Sequence, residues 1–128
     1  MYTIFQFLLV IDNLNKMDEI LRIYTRLVAL GKSLREAKRI EERYVNEYNG
    51  IVGLLSQETN SPLGEFKIPD NALQRYVTFA TSRHTSYSDK RYCEPELFFS
   101  KSDALLLYFS IKHLSSEKEK PEIGFTNK

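Results

Sequence analysis

Between positions 75 and 92 the chain sets Arg75, Arg83, His84, Lys90 and Arg91 among Tyr76, Tyr87 and Tyr92, with Asp89 as the only local acid. Guanidinium and ammonium groups neutralise phosphates, and tyrosine rings offer faces on which bases stack. The mixture therefore suits single-stranded nucleic acid or a small phosphate-bearing ligand. The competing account is a polar surface loop whose cations pair with carboxylates elsewhere in the fold, at little energetic gain.

Catalytic chemistry finds less support. Histidine is the side chain most often used as a general acid or base, but no neighbouring residue orients His84 for that role. Arg83 and His84 are adjacent rather than a helical turn apart, so they cannot act together from one helix face. His113 follows a strongly apolar stretch and reads as a residue near a helix C-terminus, where a protonated ring is favoured. Cys93 has Lys90 and Arg91 nearby, which would lower a thiol pKa, yet an isolated buried thiol is the simpler expectation. Tyr92-Cys93-Glu94-Pro95 lacks the ligand set of a zinc deaminase. Gly50 and Gly53 flank an apolar pair with no following Lys-Ser or Lys-Thr, so no phosphate-cradling loop is read here. No catalytic residue, metal or cofactor is expected, and a non-enzymatic role is favoured.

The elements that must position the 75–92 segment begin with a long amphipathic stretch. Phe7, Val10, Leu14, Met17, Leu21, Tyr24 and Val28 recur at alternating three and four, the spacing of a coiled-coil seam. Ile11, Ile20 and Leu27 widen the stripe to the breadth of a packed helix. Thr3 with Gln6 has capping-box spacing, and Gly31 is placed for a left-handed stop. Ser33 with Glu36 restarts the pattern, so a second helix is expected to run to Asn49-Gly50 with Leu34, Ala37, Ile40, Tyr44 and Tyr48 inward; Ile51, Val52, Leu54 and Leu55 offer an extension past a kink as the alternative. Its charged face offers Lys38–Glu42 and Arg43–Glu47 as turn-spaced pairs. The short Gly31-Lys32 link predicts an antiparallel helical hairpin. Phe5, Leu9 and Ile23 lie off the main stripe and are the expected interaction surface for a partner or a second copy.

Beyond the hairpin, 56–69 reads as a loop anchored by Leu63, Phe66 and Ile68. Asp70 is placed to cap a third helix reaching about Thr81; alternation through Arg75 to Thr81 makes a strand the alternative. Residues 81–93 read as a surface loop, Pro95–Phe99 as a short helix, and Asp103–Leu114 as a final helix apolar nearly all round, with only Ser110 and Lys112 near solvent. The charged end, 115–128, is expected to be a flexible tail.

Composition sets the bounds. The 128 residues, 42% apolar and 27% charged, suit one soluble domain with its own core. A net charge of +1 argues against a surface built wholly for nucleic acid or anionic membrane. A lone cysteine fits a reducing, cytosolic setting. The run Ile4–Ile11 has no basic residue before it, is too short to span a bilayer and meets no cleavage site, so it is expected to be core rather than a targeting segment.

The expected fold is all-α: an N-terminal antiparallel helical hairpin packed with one or two further helices over residues 1–114, with an α+β arrangement carrying a small strand pair near 75–81 as the alternative. The expected function is a cytoplasmic protein-interaction or homo-oligomerising module acting through that hairpin, with no membrane association. The alternative is a phosphate-ligand or single-stranded nucleic-acid binder using Arg75, Arg83, His84, Tyr87, Lys90, Arg91 and Tyr92.

Overall fold

A computed structural model describes residues 4–114, with side chains described over 15–112. It is mostly helical and carries two small antiparallel strand pairs, which favours the α+β alternative over the all-α expectation. Helix α1 is Ile4–Leu34, α2 is Glu42–Thr59 and α3 is Pro95–Phe109, the last continuing into a wider π turn over Ser110–Leu114. Strand β1 (Ile40–Glu41) pairs with β4 (Tyr92–Cys93), and β2 (Val77–Ala80) pairs with β3 (Thr85–Tyr87).

The two glycine-based stops are corrected. Gly31 is helical and buried, and α1 runs on to Leu34 before a turn closes through Ala37 N–H to Leu34 O at 3.0 Å. The second helix starts at Glu42 rather than Ser33, after β1. It also passes straight through Asn49-Gly50 and stops at Asn60, which adopts the left-handed conformation with φ 53° and donates its N–H to Gln57 O. A helical glycine costs about 1 kcal/mol relative to alanine. That loss is outweighed where Val45, Tyr48, Ile51, Val52 and Leu55 all become buried on the same helix.

The core is one cluster of buried side chains drawn from every helix. Ile23, Leu27, Leu30 and Leu34 supply the face of α1; Phe98, Leu105 and Phe109 supply that of α3. Aromatic contacts fix how the elements meet. Tyr24 of α1 stacks on Phe109 of α3 with centroids 5.0 Å apart, and Tyr48 of α2 packs at 5.0 Å on Phe98. The loop 60–69 is strapped down at the expected anchors Leu63, Phe66 and Ile68. Tyr48 Oη donates to Phe66 O at 2.8 Å, and Asn49 brackets Ile68 by donating Nδ2 to its carbonyl at 3.0 Å and accepting its N–H at 2.8 Å.

Burial along α1 departs from the seven-residue stripe. Met17 and Leu21, both on it, are 43% and 42% exposed, and 15–19 are exposed throughout. Ile23, expected at an interaction surface, is 3% exposed inside the chain's own core. It lies on the same face as Leu27, Leu30 and Leu34, a stripe with equally good helical spacing that runs beside the first. Phe5 and Leu9 fall outside the residues with described side chains, as do Phe7, Val10 and Leu14.

The segment after Asp70 is also corrected. Only Asp70–Ala72 forms a helical turn, of 3-10 type, and the chain then extends into β2. Val77, Thr78 and Phe79 are β-branched or aromatic and have no core to meet, so no helical burial competes with their strand preference. The stretch 81–93 contains β3 and β4 rather than loop alone. Pro95–Phe99 and Asp103–Leu114 belong to one continuous α3 with its π extension, and that helix is not apolar-buried all round: Leu107 and Ile111 are 63% and 62% exposed. The tail 115–128 lies outside the described residues.

Candidate functional site

Tyr92 is the centre of the strand-like patch that gathers the polar residues. Its backbone pairs with Glu41 on one side and with Gln74 on the other, where Gln74 N–H reaches Tyr92 O at 2.9 Å and Tyr92 N–H reaches Gln74 O at 2.8 Å. Extended segments 74–77 and 87–92 thus run against each other. Ser88, 7% exposed, ties them: its hydroxyl accepts the Tyr76 N–H at 3.1 Å and donates to Lys90 O at 2.7 Å.

The predicted cations separate into distinct environments. Arg91 is a cross-link: Nε and Nη2 donate to the two carboxylate oxygens of Glu42 at 3.0 and 2.7 Å, and Nη2 also reaches Asp70 Oδ1 at 2.9 Å. The β1–β4 ladder places it there, since Glu42 N–H bonds Arg91 O at 3.0 Å. Hydrogen bonds to Glu42 and Asp70 push the guanidinium pKa up, and hydrogen bonding from Arg91 holds both carboxyls below their usual values. Lys90 faces Glu41 at 3.2 Å. Glu42 and Arg43 therefore take partners other than the helical pairs expected for them, because Lys38 precedes the helix and Arg43 lies against Glu41 at 3.6 Å and the Tyr44 ring.

Groups with depressed carboxyl pKa values stabilise the fold above their unfolded pKa, about 4, and that contribution disappears as pH falls through the folded value. Arg91→Met is therefore expected to unfold at lower urea than the parent at pH 7; the gap is expected to begin narrowing at about pH 4 and to close only once the pH lies below the depressed folded-state values of Glu42 and Asp70. Urea titrations of both proteins at pH 7 and below those folded-state values measure it; a gap that persists in acid contradicts the assignment.

Arg83 and His84 sit at the exposed β2–β3 turn, where Thr81 Oγ1 accepts both their N–H groups and His84 Nε2 lies 3.0 Å from Ser86 Oγ. Tyr87 is 52% exposed on β3, beside Val77 and near Phe79, themselves 51% and 57% exposed. Cys93 is buried, its Sγ donating to Glu94 O at 3.3 Å, and burial raises its pKa. A thiolate nucleophile at this position is disfavoured.

Arg75, Tyr76 and Tyr92 are brought together, and with them residues that sequence reasoning did not single out. They line an open cavity of about 290 Å³ with Arg39, Gln74 and Glu94. Arg39 stacks its guanidinium 3.9 Å from the centre of the Tyr76 ring, and Tyr76 meets Tyr92 edge-on at 5.3 Å. Arg75 donates Nε to Ser88 O at 2.6 Å. Arg83, His84, Tyr87, Lys90 and Arg91 are not part of this lining. Arg39 lies in the turn just before β1, which carries it to the edge of the patch.

No family model, curated protein or solved structure matches this chain. Among the described residues, no group of three or more His, Cys, Asp or Glu is placed to hold a metal ion, and no helix is long and apolar enough to cross a membrane.

Proposed function

We propose that this chain is a non-enzymatic protein-interaction module that self-associates through its N-terminal helical hairpin, the partner being a second copy laid along the seven-residue stripe of α1. The observation that carries the reading is the exposure of Met17 and Leu21, two large apolar side chains on consecutive seam positions of a helix that buries a different stripe, Ile23, Leu27, Leu30 and Leu34, further along its length. The stripe continues in sequence through Leu14, Val10 and Phe7.

Length supports the same reading. The 31 residues of α1 extend about 46 Å at 1.5 Å per residue, against about 27 Å for the 18 residues of α2, so α2 cannot flank the whole of α1. A second helix with the same heptad supplies knobs for the remaining holes. Lys16, Asp18, Glu19, Arg22 and Arg26 give that stretch both signs of charge, so two copies meet without net repulsion. The lone buried Cys93 fits a reducing, cytosolic setting.

Light scattering over a dilution series tests this. The parent is expected to give a dimer or larger species, and Leu21→Glu to weaken it on the order of 100-fold, since each copy loses about 1.5 kcal/mol or more of apolar burial. Because Leu21 is exposed in the single chain, the variant should keep the parent's helical circular dichroism. A parent that is monomeric at every concentration defeats the proposal.

A further inference from the structure

Beyond self-association, the geometry points to a binding site for a nucleoside monophosphate in the cavity between β4, the 72–76 segment and the start of α3. Each polar group lining it matches one part of such a ligand. Arg39 and Arg75 are planar forks suited to the terminal oxygens of a phosphate. Both are held in place by contacts that leave donors over: Arg39 lies over the Tyr76 ring, and Arg75 spends only Nε on Ser88 O. Tyr76 and Tyr92 supply aromatic surface for a base, with Ala72 and Leu97 completing the apolar part of the wall.

Glu94 would disfavour a simple anion, yet it is the right group for a ribose. A carboxylate accepts hydrogen bonds from sugar hydroxyls, as in dinucleotide-binding folds. The Gln74 amide offers both donor and acceptor to a base edge. The Arg39, Arg75 and Glu94 side chains line one cavity without an ion pair among them in the described structure, so no salt bridge between them must be broken. The volume of about 290 Å³ lies at the small end of the range for ligand sites and suits a mononucleotide better than a dinucleotide.

The site is prearranged. The Gln74–Tyr92 backbone pair and the buried Ser88 hydroxyl fix the strands from which Arg75, Tyr76 and Tyr92 project. Free nucleotide and nucleic acid share this chemistry, and the exposed Arg83 at the β2–β3 turn distinguishes them: it lies outside the cavity, so a mononucleotide does not need it.

The experiment is calorimetric titration of the full chain with AMP, GMP, CMP and UMP in turn, and with the matching nucleoside, inorganic phosphate and a mixed-sequence single-stranded oligonucleotide. At least one monophosphate is expected to saturate with Kd below about 1 mM, with its nucleoside and inorganic phosphate each about tenfold weaker or more. Arg39→Ala should weaken that binding about tenfold or more, and Arg83→Ala should leave it unchanged. Glu94→Gln, close in shape to the parent, should reduce the preference for the ribonucleotide over its 2′-deoxy counterpart; this readout stands even if Arg39→Ala misfolds. The site is overturned if no monophosphate saturates, if phosphate alone binds as well, if neither Arg39→Ala nor Glu94→Gln alters binding, or if only the oligonucleotide binds and loses affinity in Arg83→Ala.

Discussion

Phe98→Ala is expected to destabilise the protein by about 3–5 kcal/mol, the usual cost of emptying a buried aromatic site, which corresponds to a melting temperature lower by about 10–20 °C for a domain of this size. Phe98 is fully buried and is the hub of the aromatic contacts, touching Tyr48 of α2 at 5.0 Å and Phe99 of its own helix at 5.0 Å. Neither ring can close the gap freely. Tyr48 is tethered by its hydroxyl to Phe66 O, and its burial raises the phenol pKa and keeps it neutral; Phe99 lies under the Arg35 guanidinium at 3.9 Å, itself 3.3 Å from Asp103. Leu107→Ala on the opposite face of α3 is the control, expected to change stability by no more than about 0.5 kcal/mol. Chemical denaturation of both variants decides the point, and equal losses would mean that the two faces of α3 are buried alike.

That contrast shows what could be read in the chain. The helical character of α1, though not its buried face, the Pro95 start of α3 and the anchors Leu63, Phe66 and Ile68 were legible because each rests on local periodicity or on backbone chemistry. The strand at 77–80 was legible only as an alternative, since Tyr76, Val77 and Ala80 also satisfy a helical repeat; what decides it is that this stretch meets no core. Gly31 and Asn49-Gly50 misled for the complementary reason. Their local preference is to end a helix, and burial of the residues around them in α1 and α2 overrides it. The face of α3 could not be chosen from a sequence apolar on nearly every side.

The candidate site followed the same division. Tyr76, Tyr92 and Arg75 stand within one segment and were found together. Arg39 is 36 positions away from Arg75 in sequence, and only the β1–β4 ladder carries it to Tyr76. Arg91 looked equivalent to Arg75 until its partners were visible, because Glu42 and Asp70 lie 49 and 21 positions away. A single sequence contains no signal for such pairings, so it cannot separate a cation that cross-links the fold from one that lines a cavity.

Asn49 is the residue whose structural role was most completely hidden, and its replacement carries the second large expected effect. As part of Asn-Gly it reads as a turn, yet it sits within α2 and serves as a surrogate strand edge for Ile68, satisfying both backbone groups of a residue only 3% exposed. Asn49→Ala strands a buried N–H and a buried carbonyl together, at a cost of about 2–4 kcal/mol. Hydrogen exchange at the Ile68 amide is expected to accelerate beyond what global destabilisation explains, because the strap opens locally first. Asn49→Asp separates the two bonds: the carboxylate still accepts the Ile68 N–H but opposes its carbonyl. Protonation restores a donor, so the folded-state pKa of that carboxyl is raised, and the deficit of Asn49→Asp relative to the parent is expected to shrink as pH falls towards about 4. A deficit that instead grows in acid would show that Asn49 does not donate to Ile68.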